Sequence, residues 1–455
     1  MLPDPRPTRP RSLHVLAKPS GAICNLDCTY CFFLSKEALY PGSKFRMDDD
    51  LHEQYIRQVI ETQQQEYVTI AWQGGEPTLM GLDFFRRSIE LVEKYRRPDM
   101  VVEHTIQTNG TLLTPEWAEF FKEHGFLVGL SMDGPPDIHD AQRVDKGGKP
   151  THAKVLAAAQ LLTEHGAEFN ILCTVHAVNA DRGRETYRYF RDTVGARFIQ
   201  FIPIIERATP ELIEVAEKGW GDRVEGRPLY QQAGSLVTGR SITTGQWGRF
   251  LVDIFEEWVR RDIGTVYVQM FDVTLANFVG EPPSLCIYSE TCGTAMAMEH
   301  NGDMYSCDHF VEPAYMVGNI RDTHMLEIAA SPEQLKFGQD KSDTLPRFCQ
   351  ECDVRFACHG GCPKDRFIDD PYGEPGLNYL CTGYKDYFGH VTQPMRMMGE
   401  LLRRNRAPAD LMSWYAQQDA ERGRNGICSC GSGKKFKRCH GDEPRTAITA
   451  QQPPN

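Results

Sequence analysis

Six short runs in the first half of the chain are rich in β-branched and aromatic residues: 12–19, 67–74, 101–109, 126–133, 169–176 and 197–205. Each ends in Gly, Pro, Asn or polar residues, as strands bounded by turns do. Between them, apolar positions recur every three or four residues over 47–65, 84–96 and 155–165, which predicts amphipathic helices. Thr114-Pro115-Glu116 opens another helix, with a capping Thr and Pro in the first turn. Strand–helix alternation predicts an α/β fold whose parallel sheet has right-handed crossovers, and six repeats fit an open or partial barrel. In such folds chemistry gathers at the C-terminal ends of strands. Cys24, Gly74 and Asn109 follow the first three runs, and Ser131 lies in the fourth.

Beyond the barrel, taken as 12–240, residues from about 206 to 280 read as a helical bridge, of which 241–280 forms a separate unit. Residues 281–390 are Cys-rich and turn-rich, 391–425 form a partly basic helical linker, and 426–441 carry a separate Cys/His patch. The ends, 1–11 and 442–455, are expected to be flexible and disordered. A length of 455 residues calls for a large domain with smaller ones attached, and 41% hydrophobic residues supply a core. A net charge of −12 argues against nucleic acid as the main partner. No apolar run reaches the length of a membrane span, and the N-terminus lacks the apolar stretch of a secretion signal. A cytoplasmic setting with no membrane partner is the expectation. The 15 cysteines would then stay reduced, which favours metal or cluster ligation over disulfides.

Cys24, Cys28 and Cys31 stand in C-N-L-D-C-T-Y-C. Three thiolates this close can hold three irons of a cubane cluster and leave the fourth open; a zinc site short of one ligand is the plainer alternative. Cys286, Cys292, Cys307, Cys349, Cys352, Cys358, Cys362 and Cys381 follow. Eight thiolates saturate two more cubanes, or equally two structural zinc sites. Cys428, Cys430, Cys439 and His440 offer three sulfurs and a nitrogen, a set that suits tetrahedral zinc. Lys434, Lys435, Lys437 and Arg438 beside them either meet a partner or form a solvated face. Cys173, within a strand pattern, reads as core.

The C-x3-C-x2-C loop, with Tyr30 before its last Cys, and Gly74-Gly75-Glu76-Pro77 after the second strand resemble the radical S-adenosylmethionine (SAM) superfamily. That resemblance implies a partial (β/α)6 TIM-like barrel in which SAM fills the open iron and yields a 5′-deoxyadenosyl radical. It places Tyr30 near the adenine, and Gly74, Gly75 and Glu76 at the SAM ammonium. It places Asn109 at the ribose, where a turn cap is its plain role. It places Ser131 and Arg143 at the SAM carboxylate, although Arg143 also fits a solvated charge. Ile205 would pack on the adenine or simply in the core. The eight later cysteines resemble a SPASM domain with two auxiliary clusters. By that pattern Cys286, Cys292, Cys307 and Cys362 hold one, and Cys349, Cys352, Cys358 and Cys381 the other.

From about 12 to 390 the chain is most similar to anaerobic sulfatase-maturating enzymes. These oxidise a Cys or Ser of a sulfatase to Cα-formylglycine. The resemblance implies three [4Fe-4S] clusters, SAM and a low-potential donor such as flavodoxin or ferredoxin. It implies an unfolded or nascent sulfatase as partner, Asp308 as the base, auxiliary clusters as electron acceptors, and Gln73 near the substrate side chain. The 426–441 patch resembles the SEC-C zinc motif. Two other readings stand beside this one: a peptide maturase forming a thioether, carbon–carbon bond or epimer, and a non-catalytic zinc scaffold.

Overall fold

Each of the six β-rich runs forms a strand: β1 (His14–Ala17), β2 (Tyr67–Trp72), β3 (Val101–Thr108), β4 (Phe126–Ser131), β5 (Phe169–Val175) and β6 (Phe198–Pro203). They pair in parallel, each with the next in sequence. The computed structural model describes residues 12–441. The flexible 1–11 and disordered 442–455 expected above lie outside the described residues.

Further strands then follow. β7 (Arg207–Ala208) and β8 (Leu236–Val237) form a small antiparallel pair. β9 (Tyr267–Val268) pairs parallel with β6. β10 (Ala295–Met298) pairs parallel with β1 and continues antiparallel into β11 (Asp303–Tyr305) and β12 (Met316–Asn319). β13 (Arg366–Asp369) and β14 (Pro375–Asn378) make a separate hairpin. The main sheet runs β12-β11-β10-β1-β2-β3-β4-β5-β6-β9, and its two ends do not pair, so it stays open. The Cys-rich region is thus joined to the barrel through one sheet. Its β10 lies beside β1, where Val15 and Ala17 are buried against Met296 and Met298.

The helices form where apolar periodicity coincides with a start signal. In Asp49–Thr62, Asp48 accepts a capping bond from Leu51 N, and two further acids complement the positive helix end. Leu51, Tyr55, Ile56, Val59 and Ile60 share its buried face, packed with Trp72 and Phe85. Pro115 does open a helix, Pro115–Glu123, but the Thr114 hydroxyl makes no capping bond. Among the described residues no helix is long and apolar enough to cross a membrane.

Two stretches depart from expectation. Residues 206–243 are not a helical bridge: apart from β7, β8 and the short helix Ile213–Lys218, they are irregular. They lie against the cysteine loop, through Trp220 N donating to Thr29 O (3.1 Å) and Asp222 N to Asp27 Oδ1 (2.6 Å). Long helices resume only at Thr244–Arg261 and Gln269–Val279. The expected break at 390 falls inside one helix, Cys381–Arg403, which begins at a candidate cluster ligand.

Candidate active site

The strand ends converge on the loop 18–31 that follows β1. Gly75 N donates to Gly21 O (2.8 Å) and Glu76 N to Ile23 O (2.9 Å), so the segment after β2 is stitched to the cysteine loop. A Cβ on Gly75 would overlap the Ile23 carbonyl, and one on Gly74 would lie 2.9 Å from Gly21 O. The glycines are therefore needed for backbone–backbone approach within the protein. On the other side, Asp27 N and Thr29 N donate to the Val144 and Gln142 carbonyls at 2.8 and 3.0 Å.

Cys24, Cys28 and Cys31 sit together on this loop, half-buried or buried. Burial and neighbouring negative groups push the Cys28 thiol up to about 12, although Arg143 opposes the shift, and raise Cys24 as well; burial alone raises Cys31. Bare thiolates are unfavourable here, so these residues become ligands only together with bound cations, which cluster irons supply. The donor set fits a cubane with an open iron.

Glu76 is held by donors of the protein itself. It is fully buried, and both carboxylate oxygens are engaged: Oε1 accepts from Thr78 N, Thr78 Oγ1 and Thr108 Oγ1 at 3.1, 2.6 and 2.7 Å, and Oε2 from Asn109 N at 2.8 Å. It braces the β2 loop against the end of β3. Glu76→Gln presents an NH2 to donors and should lower stability by about 1–3 kcal/mol, read by chemical denaturation.

Asn109 also has structural partners. Its Oδ1 caps the turn through Thr111 N (3.0 Å), while Nδ2 donates to Asn25 Oδ1 (2.9 Å) and points to Cys24 Sγ (3.7 Å). Ser131 Oγ accepts from Gln107 Nε2 (2.9 Å). Gln73 follows β2 with its N–H on Ala17 O (2.9 Å).

Arg143 is not a solvated charge: it is 7% exposed. It donates through Nε to Asp133 Oδ2 (2.9 Å) and through Nη2 to Thr174 Oγ1 (3.3 Å), and lies 5.4 Å from the centre of the Tyr30 ring. Tyr30 donates to the same Asp133 oxygen at 2.7 Å. Burial opposes the Asp133 charge, but Arg143, His176 and His139 together hold its carboxyl far below the usual range. Asp133 thus fixes both Tyr30 and Arg143, and the only sequence sign of it was its place in M-D-G-P-P.

Ile205 lies in the main core, with 4% exposure. Its neighbour Ile204 packs against the cluster formed by Leu26, Cys28 and Tyr30. A single step along an extended segment reverses which face a side chain meets.

Asp308 meets the cysteine loop through Lys18, the residue after β1. The Lys18 ammonium, 1% exposed, ion-pairs with Asp308 Oδ1 and lies 4.1 Å from the centre of the Phe33 ring. Burial alone would raise the Asp308 carboxyl, yet Lys18, with His309 and Lys36, holds it below its ordinary value. Lys18 had no sequence signal beyond its position.

The later cysteines form two groups. Burial together with Cys362, Asp308 and Cys286 raises the Cys307 thiol, and Cys286 in turn bears on Cys292 and Cys362. Lys341 donates to the carbonyls of Cys286 (2.5 Å) and Ile287 (3.0 Å). Cys349, Cys352, Cys358 and Cys381 line one small cavity, and burial with the neighbouring thiols pushes Cys358 up to about 12. Cys362 thus lies among the neighbours of Cys286 and Cys307. Among the described residues all 15 cysteines are free of disulfides.

Cys428, Cys430, Cys439 and His440 bring their ligand atoms within 4.8 Å of one another. His440 Nδ1 faces the Cys428 and Cys439 sulfurs at 3.2 and 3.4 Å. Cys173 is buried in the core, as expected.

Comparison with known proteins agrees with this layout. Residues 19–190 match the radical SAM superfamily, 286–353 the SPASM iron–sulfur cluster-binding domain, and 424–442 the SEC-C motif. A serine-type anaerobic sulfatase-maturating enzyme of Bacteroides thetaiotaomicron is 43% identical over 88% of this chain and 95% of its own length. A cysteine-type enzyme of Clostridium perfringens is 33% identical over 83% and 96%. The solved structure of native anSMEcpe with bound AdoMet and Cp18Cys peptide is 31% identical, covers 86% of this chain and 99% of that one, and superposes with a TM-score of 0.71. The chain belongs to the anaerobic sulfatase-maturating enzymes, radical SAM oxidoreductases with a SPASM domain.

Proposed function

We propose that the protein oxidises a Cys or Ser side chain of a sulfatase polypeptide to Cα-formylglycine. The observation that carries this reading is the Lys18–Asp308 pair, which joins the loop of the three radical-generating cysteines to the residue after Cys307. When bound, SAM and three [4Fe-4S] clusters supply a hydrogen-abstracting carbon radical and an acceptor for one electron. The clusters are assigned to Cys24, Cys28 and Cys31; to Cys286, Cys292, Cys307 and Cys362; and to Cys349, Cys352, Cys358 and Cys381.

The protein's own residues do the rest. Tyr30, Ser131, Arg143 and the backbone around Gly74 and Gly75 hold SAM, with Asp133 orienting Tyr30 and Arg143. Gln73 faces the substrate side chain. One Cβ hydrogen leaves as an atom, and Asp308 takes the hydroxyl or thiol proton. The remaining electron is the one that a cluster held by Cys286, Cys292, Cys307 and Cys362 would accept when bound. Ser then becomes the aldehyde directly, whereas Cys becomes a thioaldehyde that water hydrolyses with release of sulfide. Lys18 keeps the Asp308 carboxylate in place and ionised. A flavodoxin- or ferredoxin-type protein supplies the initiating electron, and zinc occupies Cys428, Cys430, Cys439 and His440.

The test is anaerobic reconstitution with SAM, reductant and matched Ser and Cys sulfatase-motif peptides, read by mass spectrometry. The Ser peptide should lose two hydrogens and the Cys peptide its sulfur, each gaining an aldehyde. Unmodified peptides from a protein that cleaves SAM would defeat the reading.

A further inference from the structure

The Cys/His patch does not hang free of the barrel. It is seated on Gly183–Arg188, which follows β5, and on the last turns of Thr244–Arg261. Arg260 Nη2 donates to Ser429 Oγ (2.7 Å), and Arg261 Nη2 to His440 O (2.8 Å). Arg184 places Nη1 3.7 Å from the Cys439 sulfur and Nη2 2.9 Å from His440 Nε2. Glu257, fully buried, lies with Oε1 3.5 Å from His440 Nε2 and is also paired with Arg184 (3.3 Å) and Arg188 (2.7 Å). Arg260 additionally stacks 4.8 Å from the Tyr415 ring centre on the helix Leu411–Arg422.

We infer that zinc at Cys428, Cys430, Cys439 and His440 acts as a clamp, locking the C-terminal segment onto the two barrel-side helices, with Glu257 as the outer partner of His440. This rests on the zinc reading of the four ligands. His440 points Nδ1 at the sulfurs, so a metal there leaves the ring proton on Nε2, and Glu257 is the carboxylate in line to accept it. A carboxylate in that position fixes the ring and strengthens the ligand. Arg184 then turns from Nε2 to Glu257 and the Cys439 sulfur, both already within 4 Å. Three thiolates around a divalent zinc carry one net negative charge, and Arg184, Arg260 and Arg261 surround it. The clamp also reaches further: Gly248 of Thr244–Arg261 packs so tightly on Cys381–Arg403 that a Cβ would lie 2.8 Å from Gly383 O. The helix under the zinc patch therefore supports the helix that starts at Cys381.

The test uses full-length, cluster-reconstituted protein. Wild type should hold about one zinc per chain; none would overturn the zinc reading itself. Cys430→Ser should lose zinc and keep its iron, while amides of Gly183–Arg188 and Thr244–Arg261 exchange with solvent roughly tenfold faster or more. Zinc loss with exchange in both helices unchanged would show the patch to be a passenger and overturn the clamp. Glu257→Gln should weaken zinc binding by about 10–100-fold in competition with a chromophoric chelator. An unchanged affinity would remove Glu257 from the site. Should Glu257→Gln fail to fold, the exchange experiment on Cys430→Ser decides alone.

Discussion

Replacing Asp308 by Asn is expected to lower peptide oxidation by about 10²–10⁴-fold, the range for losing a general base, while iron content and SAM cleavage persist. The carboxylate is half-buried, with 19% of the side chain exposed, is held ionised against its partial desolvation by the buried Lys18, and lies next to Cys307. Asn keeps the shape and removes the proton acceptor. It also leaves Lys18 buried without a counter-charge, and breaking a buried pair from one side costs about 3–5 kcal/mol. A second variant separates that cost from chemistry. Lys18→Met with Asp308→Asn removes both charges, should recover most of the lost stability and should remain inactive. The measurement is the ratio of aldehyde product to 5′-deoxyadenosine under anaerobic conditions. Oxidation above a tenth of wild type in Asp308→Asn would take Asp308 out of the mechanism.

Gly75→Ala should remove most SAM cleavage and cost about 1–3 kcal/mol of stability. The new methyl meets the Ile23 carbonyl, which is backbone and has no rotamer to yield. The loop carrying Cys24 or the segment carrying Glu76 must then move, and the bonds from Gly75 N and Glu76 N to that loop are lost. Gly389 makes a sharp control. It lies on the exposed side of Cys381–Arg403, with nothing within 4 Å of its would-be Cβ. Gly389→Ala should raise stability by up to about 1 kcal/mol. Thermal unfolding and 5′-deoxyadenosine release read both variants. Wild-type SAM cleavage in Gly75→Ala would show that the two loops need not touch.

Much of the layout was legible beforehand because it rests on local physics. Period-two and period-3.6 patterns located all six barrel strands and the first helices. The spacing of Cys24, Cys28 and Cys31 places them on a single loop whatever surrounds it. Cys428, Cys430, Cys439 and His440 gather for the same reason, being separated by short, Gly-bearing turns. The stretch 206–243 was misread because scattered helical residues there lack a sustained apolar face, and its order comes from contacts with Asp27 and Thr29 and from the internal bond of Trp220 to Glu206.

The sequence by itself determined the strand–helix order and the clustering of the cysteines along the chain and, through resemblance, the family. Only the tertiary structure decided what the charged residues do. Lys18 and Asp308 are 290 positions apart, and no local pattern pairs them. Glu76 became a brace because Thr78, Thr108 and Asn109 converge on it, and Arg143 became a buried partner of Asp133. Ile204, one step from Ile205, took the place against the cysteine loop. A charge can be buried only where opposite charges or donors meet it, and that meeting is made by chain segments distant in sequence. Ligand spacing is local and can be read; charge compensation is long-range and has to be seen.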